Sequence, residues 1–539
     1  MFAAGDGGPG LERRARAALS AAVAHAVASQ RSDGSWSVPA GPRILETAVA
    51  VLALRQAEGP GSVPAEALRW LAERAEVQRH HPAVAAADRW LLALALRPSR
   101  PPPLTEPAPD EAALARRHLL LHTVAVATGA PGADPGQLLE TAVGALGPDR
   151  GAGLKGWQRT VLLAGELLAH HALGRPVPPR VRRALEAEQA GDGSFHTMAL
   201  TTAVACLALA CTAPGHPAVR AAAGQLRRSR VPRSGWGLGT FDVWDTALMA
   251  RCLRGRPEFD ARALPSALSF LERTQGPDGG WGSNSPLVAG QGLASDNDTT
   301  GAVLLALARS PQGARVWPAA RAYAAARQRP DGLWTTWQSS DDTPAQDVVA
   351  HLAAGVDAHR RWGDGSPDTA PARRWLVERH RADGRWQADW YGYPAYPAAE
   401  IAPLLGRESP ELAREAARLA TAQRPDGAWP RLEGEDSASP AATALAVTAL
   451  LQSLRPVPPD ALRRALRFLV ESRRDDGGWT EPGPAMSGPR PFLSDVPAQN
   501  HALTCRGLAD LVAAAGPAGS PDPAGPGDPA DPGGPVARR

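Results

Sequence analysis

The sequence predicts an all-α protein made of toroids of paired helices. Apolar residues recur at helical spacing, as in EAALARRHLLLHTVAVA (Glu111–Ala127) and PDALRRALRFLVESRR (Pro459–Arg474). Runs of β-branched residues alternating with polar ones, which would mark strands, are nearly absent. A short motif closing on Asp-Gly, one residue and Trp returns along the chain, as in repeat architectures. Clusters of the 53 prolines and 54 glycines punctuate the chain, so the helices are short and numerous.

The repeat reads QRSDGSW (Gln30–Trp36), QGPDGGW (Gln275–Trp281), QRPDGLW (Gln328–Trp334), HRADGRW (His380–Trp386), QRPDGAW (Gln423–Trp429) and RRDDGGW (Arg473–Trp479). QAGDGSF (Gln189–Phe195) is a relative, and SGWG (Ser234–Gly237) a fragment. From Trp281 the tryptophans recur after 53, 52, 43 and 50 residues, room for two helices and their loops. Asp-Gly makes a tight turn, the Asp is expected to cap the next helix, Gln to bind loop backbone, and Trp to plug an apolar gap. Stacked around a ring, such turns would tie neighbouring helix pairs into an (α/α) barrel; an open solenoid is the competing geometry.

In chain order, residues 1–10 are expected to be disordered, and a first helix spans about 11–30. Residues 40–240 carry a degenerate repeat with Pro-rich loops, and residues 241–515 the dense one. The tail, 516–539, is a low-complexity Pro/Gly segment expected to be disordered.

At 539 residues and 44% hydrophobic content the chain has room for several packed domains. Its 58 basic and 55 acidic side chains nearly cancel, which argues against a nucleic-acid partner. Four cysteines, with no CxxC pair, make neither a disulfide framework nor a zinc site, and point to a reduced, cytoplasmic protein. No signal peptide is visible at the start. The uncharged stretch Thr197–Gly215 reads as a buried core helix rather than a membrane span.

Four segments stand out as chemical. In LASDNDTTGAVLLALAR (Leu293–Arg309), Asp296, Asp298, Thr299 and Thr300 open an apolar helix. Capping accounts for one acid; two acids followed by two threonines exceed that need. FDVWDTALMARCL (Phe241–Leu253) places Trp244 and Asp245 at another helix start. PAQDVVAHLAAGV (Pro344–Val356) sets His351 on an apolar helix, where a core histidine is the plainer reading. RWQADWYGYPAYPAAE (Arg385–Glu400) gathers Trp386, Trp390, Tyr391, Tyr393 and Tyr396 in a Gly- and Pro-broken loop. Core packing would explain them, as would an apolar or cationic ligand at a barrel mouth.

The repeat resembles the QW motif of the squalene–hopene cyclases and class II terpene cyclases. VWDTAL (Val243–Leu248) is similar to the segment preceding their catalytic acid, and DNDTT (Asp296–Thr300) to their DxDD motif in a DxDTT form. QDVVAHL (Gln346–Leu352) resembles the segment whose histidine bonds that acid. AEQAGDGSFHTMALTTA and SDGSWSVPAGPRILETAVAVLAL resemble two segments of copalyl diphosphate synthases. The resemblance runs over nearly all of residues 11–510. It implies two (α/α) barrels in a βγ arrangement: residues 11–39 and 241–515 form β, and 40–240 form an inserted γ. It implies cyclisation started by protonation, with Asp298 as donor, Asp296 beside it sharing a proton, and His351 orienting the carboxyl. Thr299 stands where most relatives have a second acid, and DxDTT is reminiscent of drimane-forming cyclases that use farnesyl diphosphate.

The resemblance further implies a dry chamber with π faces for the cation, for which Trp244, Trp337, Trp386, Trp390 and Tyr391 are candidates beside Asp245. The diphosphate would stay on the product, since no DDxxD follows Asp341-Asp342 or Asp475-Asp476. Lys155, the only lysine, and Arg43 are candidates to bind it. Magnesium is expected by analogy, with Glu73 and Glu76 in the neighbourhood of the relatives' acidic motif. The leading expectation is a drimenyl-type diphosphate from farnesyl diphosphate, with copalyl-type cyclisation of geranylgeranyl diphosphate next. A non-catalytic toroid is the alternative of another class. A zinc prenyltransferase subunit would need a ligand set that His501 and Cys505 do not complete.

Overall fold

The computed structural model describes residues 8–74, 82–104, 112–285, 294–337, 342–363, 365–487 and 492–515. They are mostly helical. Their strands are two hairpins of two-residue strands, Trp429–Pro430 with Ala438–Ser439 and Met486–Ser487 with Leu493–Ser494.

Two separate hydrophobic cores organise the chain. The larger gathers residues from the first helix and the motif after it (Leu11 to Ala40) with residues from Leu238 to Leu511. The smaller runs from Ile44 to Trp236 and takes in Phe492. Six helices line the larger core: Asp242–Leu253, Asn297–Leu307, Gln346–His359, Tyr396–Leu405, Pro440–Gln452 and Pro497–Ala514. Each packs on the next, and the last packs on the first, so the ring closes. Closure rules out the open solenoid. Helices such as Pro440–Gln452 (PAATALAVTALLQ) are small and apolar all round because neighbours cover them on every side. Outer helices such as Pro459–Glu471 (PDALRRALRFLVE) bury one stripe and turn their arginines outward. Residues 8–10, expected to be disordered, form the start of the first helix, Gly8–Ala28, which packs in this outer layer against Pro459–Glu471 and Pro257–Arg262. In the smaller core, Ile44–Glu58 packs on Pro82–Leu96 and Ala199–Thr212, and Gly156–Ala172 bridges Ala199–Thr212 to Ala112–Thr128. Ala199–Thr212 falls within the uncharged Thr197–Gly215 stretch and is a core helix. No helix of the described residues is long and apolar enough to cross a membrane.

The repeat turn explains the rings. Trp36, Trp236, Trp281, Trp334, Trp386, Trp429 and Trp479 each donate Nε1–H to the carbonyl ten residues earlier, at 2.6 to 2.9 Å. Gln275 donates to Gly279 O at 2.8 Å and to Val316 O of the neighbouring outer helix at 3.1 Å. Gln30, Gln189, Gln328 and Gln423 repeat that double bond. Gly279 has φ 89°, and a Cβ there would lie 2.3 Å from Ala319 O, so only glycine lets the turn touch its neighbour. The Asp does not cap the next helix as expected. Asp278 accepts from Gly280 N and Asp426 from Ala428 N, two residues on, so each closes its own turn. A threonine of the following inner helix braces the Trp backbone: Trp281 N donates to Thr300 Oγ1 and Trp36 N to Thr246 Oγ1. We predict that Gln275→Ala lowers unfolding free energy by about 1–2 kcal/mol in urea, for two lost hydrogen bonds.

Candidate active site

The helix Asn297–Leu307 begins where Trp281 and Asp296 pair as a β-bridge. Asp296 is the N-cap: Oδ1 accepts from Thr299 N at 2.6 Å and Oδ2 from Thr299 Oγ1 at 2.9 Å. Thr300 braces the repeat turn. Of the four polar side chains singled out in this segment, Asp296 therefore holds the helix backbone and Thr300 that of Trp281. Thr299 serves Asp296, and Asp298 makes the long-range contact: His351 Nδ1 lies 2.7 Å from its Oδ1.

Close helix approach makes that bond possible. A Cβ on Gly301 would lie 2.5 Å from the His351 carbonyl carbon, so the helices Asn297–Leu307 and Gln346–His359 cross at a point where only a hydrogen fits. The other ring nitrogen, Nε2, lies 2.8 Å from Glu400 Oε2. Glu400 is clamped in turn by Arg251 at 2.6 Å and Arg506 at 2.7 Å. Asp298, His351 and Glu400 are all buried.

The electrostatics follow from burial and these partners. Burial opposes charge on Glu400, but Arg251, Arg506 and His351 hold it well below the usual carboxylate range. Burial also opposes charge on His351, yet Asp298 and Glu400 raise it to about 9, so the ring is an imidazolium near neutrality. Burial pushes Asp296 up to about 8, against the pull of the Thr299 backbone bond. Asp347, four residues before His351 on the same helix face, is pushed up to about 7 by burial and by Asp298. It accepts from the backbone of Asp389 and Trp390.

Aromatic side chains crowd this end. Trp244 lies 5.9 Å and Tyr396 6.4 Å from the His351 ring, and Tyr391 lies 4.3 Å from Tyr396. Trp244 Nε1–H donates to Tyr391 OH at 3.0 Å, Tyr391 donates to Gln499, and Gln499 donates to Asp245 at 2.8 Å. Burial holds Asp245 well above the usual carboxylate range.

A second aromatic group lies where the two cores meet. Trp337 touches Trp390 edge-on at 5.4 Å and Trp157 at 5.0 Å. Lys155, from the smaller core's side, sits 4.6 Å over the Trp337 ring and 2.6 Å from Asp342 Oδ1. Trp386, expected with these aromatics, is instead a wall plug: it donates to Leu376 O and packs on His380. Arg43 is buried and paired with Glu46, with Phe492 at 6.0 Å, so its charge is engaged within the fold. Glu73 is exposed, and Glu76 lies outside the described residues. Among the described residues no three His, Cys, Asp or Glu side chains come together to hold a metal ion.

Glu400, Arg251, Arg506, Asp347, Gln499 and Trp157 escaped the sequence reading. Charged residues inside otherwise apolar helices were the available signal for Arg251 and Glu400, since such a charge survives burial only when paired. Asp347 had the signal of its four-residue spacing from His351.

No protein-family model matches the chain. It is 31% identical over 432 residues to a drimenyl diphosphate synthase of Streptomyces showdoensis, covering 76% of each chain. It is 32% identical over 368 residues to a drimenyl diphosphate synthase of Streptantibioticus cattleyicolor, covering 63% of this chain and 59% of the other. Among solved structures, ent-copalyl diphosphate synthase from Streptomyces platensis shares the fold at a TM-score of 0.51 and 22% identity, covering 94% of this chain and all of the other.

Proposed function

The chain belongs to the class II terpene cyclases, and from that premise we propose that it converts farnesyl diphosphate to a bicyclic drimane-type diphosphate, with Asp298 as proton donor. The 2.7 Å bond between Asp298 and His351 carries this reading. Protonating an alkene needs an acid whose conjugate base is strongly stabilised. His351 supplies that: its Nδ1–H on Oδ1 stabilises the carboxylate left when the proton leaves from Oδ2. Glu400, held anionic by two arginines, takes the Nε2–H and keeps the ring turned this way. Asp296, pushed up to about 8 by burial, adds little negative charge around the donor near neutrality. Asp298 thus faces an imidazolium on one side and a largely neutral Asp296 on the other.

The cation that forms needs π faces rather than hydrogen-bond acceptors. Trp244 and Tyr396 stand beside the His351 ring with Tyr391 against Tyr396, and Trp390 and Trp337 stand toward Lys155, each contributing about 0.5–2 kcal/mol when desolvated. Burial of the acid end keeps water from quenching the charge early. The diphosphate is retained, and Lys155 at the seam is its contact in this reading.

Identity to two drimenyl diphosphate synthases supports the C15 substrate. The C20 reading draws on a 32% identity over 202 residues to an ent-copalyl diphosphate synthase of a Streptomyces species. One isoprene unit is five carbons, about 4 kcal/mol of burial, so chamber depth decides between them. The test is incubation with C10, C15 and C20 diphosphates, phosphatase treatment and product analysis. We expect a bicyclic alcohol from the C15 substrate with kcat/KM at least about tenfold above the others, roughly 1.4 kcal/mol of discrimination. A higher value for the C20 substrate would transfer the assignment to the copalyl type, and no cyclised product from any of them would end it.

A further inference from the structure

A cyclised cation must lose a proton, and no residue assigned so far takes it. On the C15 reading above, chemistry says where that base must stand. Protonation at the far alkene sends the charge down the chain, and each ring closure consumes the next double bond. After the second closure the charge sits on the carbon next to the one that bears the CH2–diphosphate arm. The base therefore lies beside the diphosphate.

Lys155, the diphosphate contact of this reading, reaches across the seam to Asp342 and Trp337. Its neighbour Gly156 lies against the imidazole of His196: a Cβ there would be 2.3 Å from Cε1 and 2.8 Å from Nδ1. His196 Nε2 is 2.8 Å from Glu188 Oε2 and 3.0 Å from Thr160 Oγ1, and Arg159 holds the other Glu188 oxygen at 2.7 Å. Burial raises Glu188, but His196, Arg159 and Thr160 together bring it below the ordinary carboxylate value. A carboxylate there accepts Nε2–H and leaves the lone pair on Nδ1, which has no hydrogen-bond partner among the described residues.

The backbone is unusual at the same place. His196 and Thr197 have φ of 53° and 58°, two successive non-glycine residues in the left-handed region. Met198, next in line, packs on the larger core, so this loop belongs to the seam. The other repeat turns carry Ser37, Gly282, Thr335, Gln387, Pro430 and Thr480 after the aromatic residue, and none is a base. Such strain persists where surrounding contacts impose it, and it gathers at working sites.

We propose that His196, oriented by Glu188, is the base that ends the reaction. The C–H bond next to the cationic carbon breaks, its electron pair becomes the new double bond, and the proton goes to Nδ1. Glu188 balances the imidazolium that results, and water removes the proton between turnovers.

The test uses the full chain and farnesyl diphosphate, with products compared after phosphatase treatment. His196→Ala is expected to lower the wild-type alkene at least tenfold as a share of bicyclic products. Bicyclic alcohol from water capture, or shifted alkenes, should replace it. Glu188→Gln keeps the ring and should give the same mixture in smaller proportion; it carries the test if His196→Ala does not fold. Wild-type product ratios in the folded variants, even with a raised KM, overturn the assignment of His196. A wild-type protein that cyclises only the C20 substrate overturns the C15 reading instead, and product ratios of the variants on that substrate then decide His196 separately.

Discussion

Asp298→Asn is expected to abolish cyclisation while leaving the fold intact. The amide keeps the size of the side chain and can still meet the His351 ring, so the helices Asn297–Leu307 and Gln346–His359 need not part. It has no transferable proton of comparable acidity. General acids contribute roughly two to four orders of magnitude where they assist a reaction. Here proton transfer is itself the first chemical step, so kcat should fall by at least about a thousandfold. Asp296 is not placed to substitute, because both of its oxygens are committed to Thr299. The measurement is bicyclic product per unit time with the unfolding midpoint recorded alongside. Turnover within tenfold of wild type, in a protein of unchanged midpoint, would remove Asp298 from the mechanism.

The largest stability effect is expected at Glu400. Its carboxylate faces three cations, the buried His351 and the largely buried Arg251 and Arg506. Glu400→Ala strands them together, and breaking a buried ion cluster costs about 3–5 kcal/mol. The pH dependence follows from the same contacts. His351 is raised to about 9, so its stabilising contribution is full below its unfolded value of about 6.5 and is lost as pH rises through about 9. Glu400 is depressed, so its contribution is present above its unfolded value near 4.5 and is lost as pH falls through the lower folded value. The unfolding midpoint should therefore be highest between these limits. Glu400→Gln keeps the shape but removes one of the two charges, Asp298 being the other, that raise His351. It should move the alkaline fall in kcat to lower pH, and an alkaline limb that stays put would show that His351 is not held as an imidazolium by Glu400.

Much of the fold is legible in the chain. The Gln, Asp-Gly and Trp of each repeat act over seven residues, and their hydrogen bonds are local or reach one adjacent helix, so they can be read in place. Asp296 and Asp298 are legible as more than a cap because two acids at a helix start demand a reason. The segments holding Trp244, Trp390 and Tyr391 were also marked by composition. Trp386 went astray because a repeat plug and a chamber lining use the same residue type; only its Nε1–H to Leu376 O separates them. A cation in sequence does not show its partner, Glu46 for Arg43 and Asp342 for Lys155.

By itself the sequence determined the helices, their repeated turns and the paired acids Asp296 and Asp298 at a helix start, because each rests on neighbours close along the chain; closure of the ring came from the packing of Pro497–Ala514 on Asp242–Leu253. Tertiary structure alone decided that His351, Glu400, Arg251 and Arg506 from four different helices meet behind that acid, and that Lys155 and His196 come up to the seam with the other core. Those meetings depend on which helix faces touch across a closed ring. That is settled by contacts such as Gly301 against the His351 backbone, between residues 50 apart in the chain, and local propensity carries no record of them.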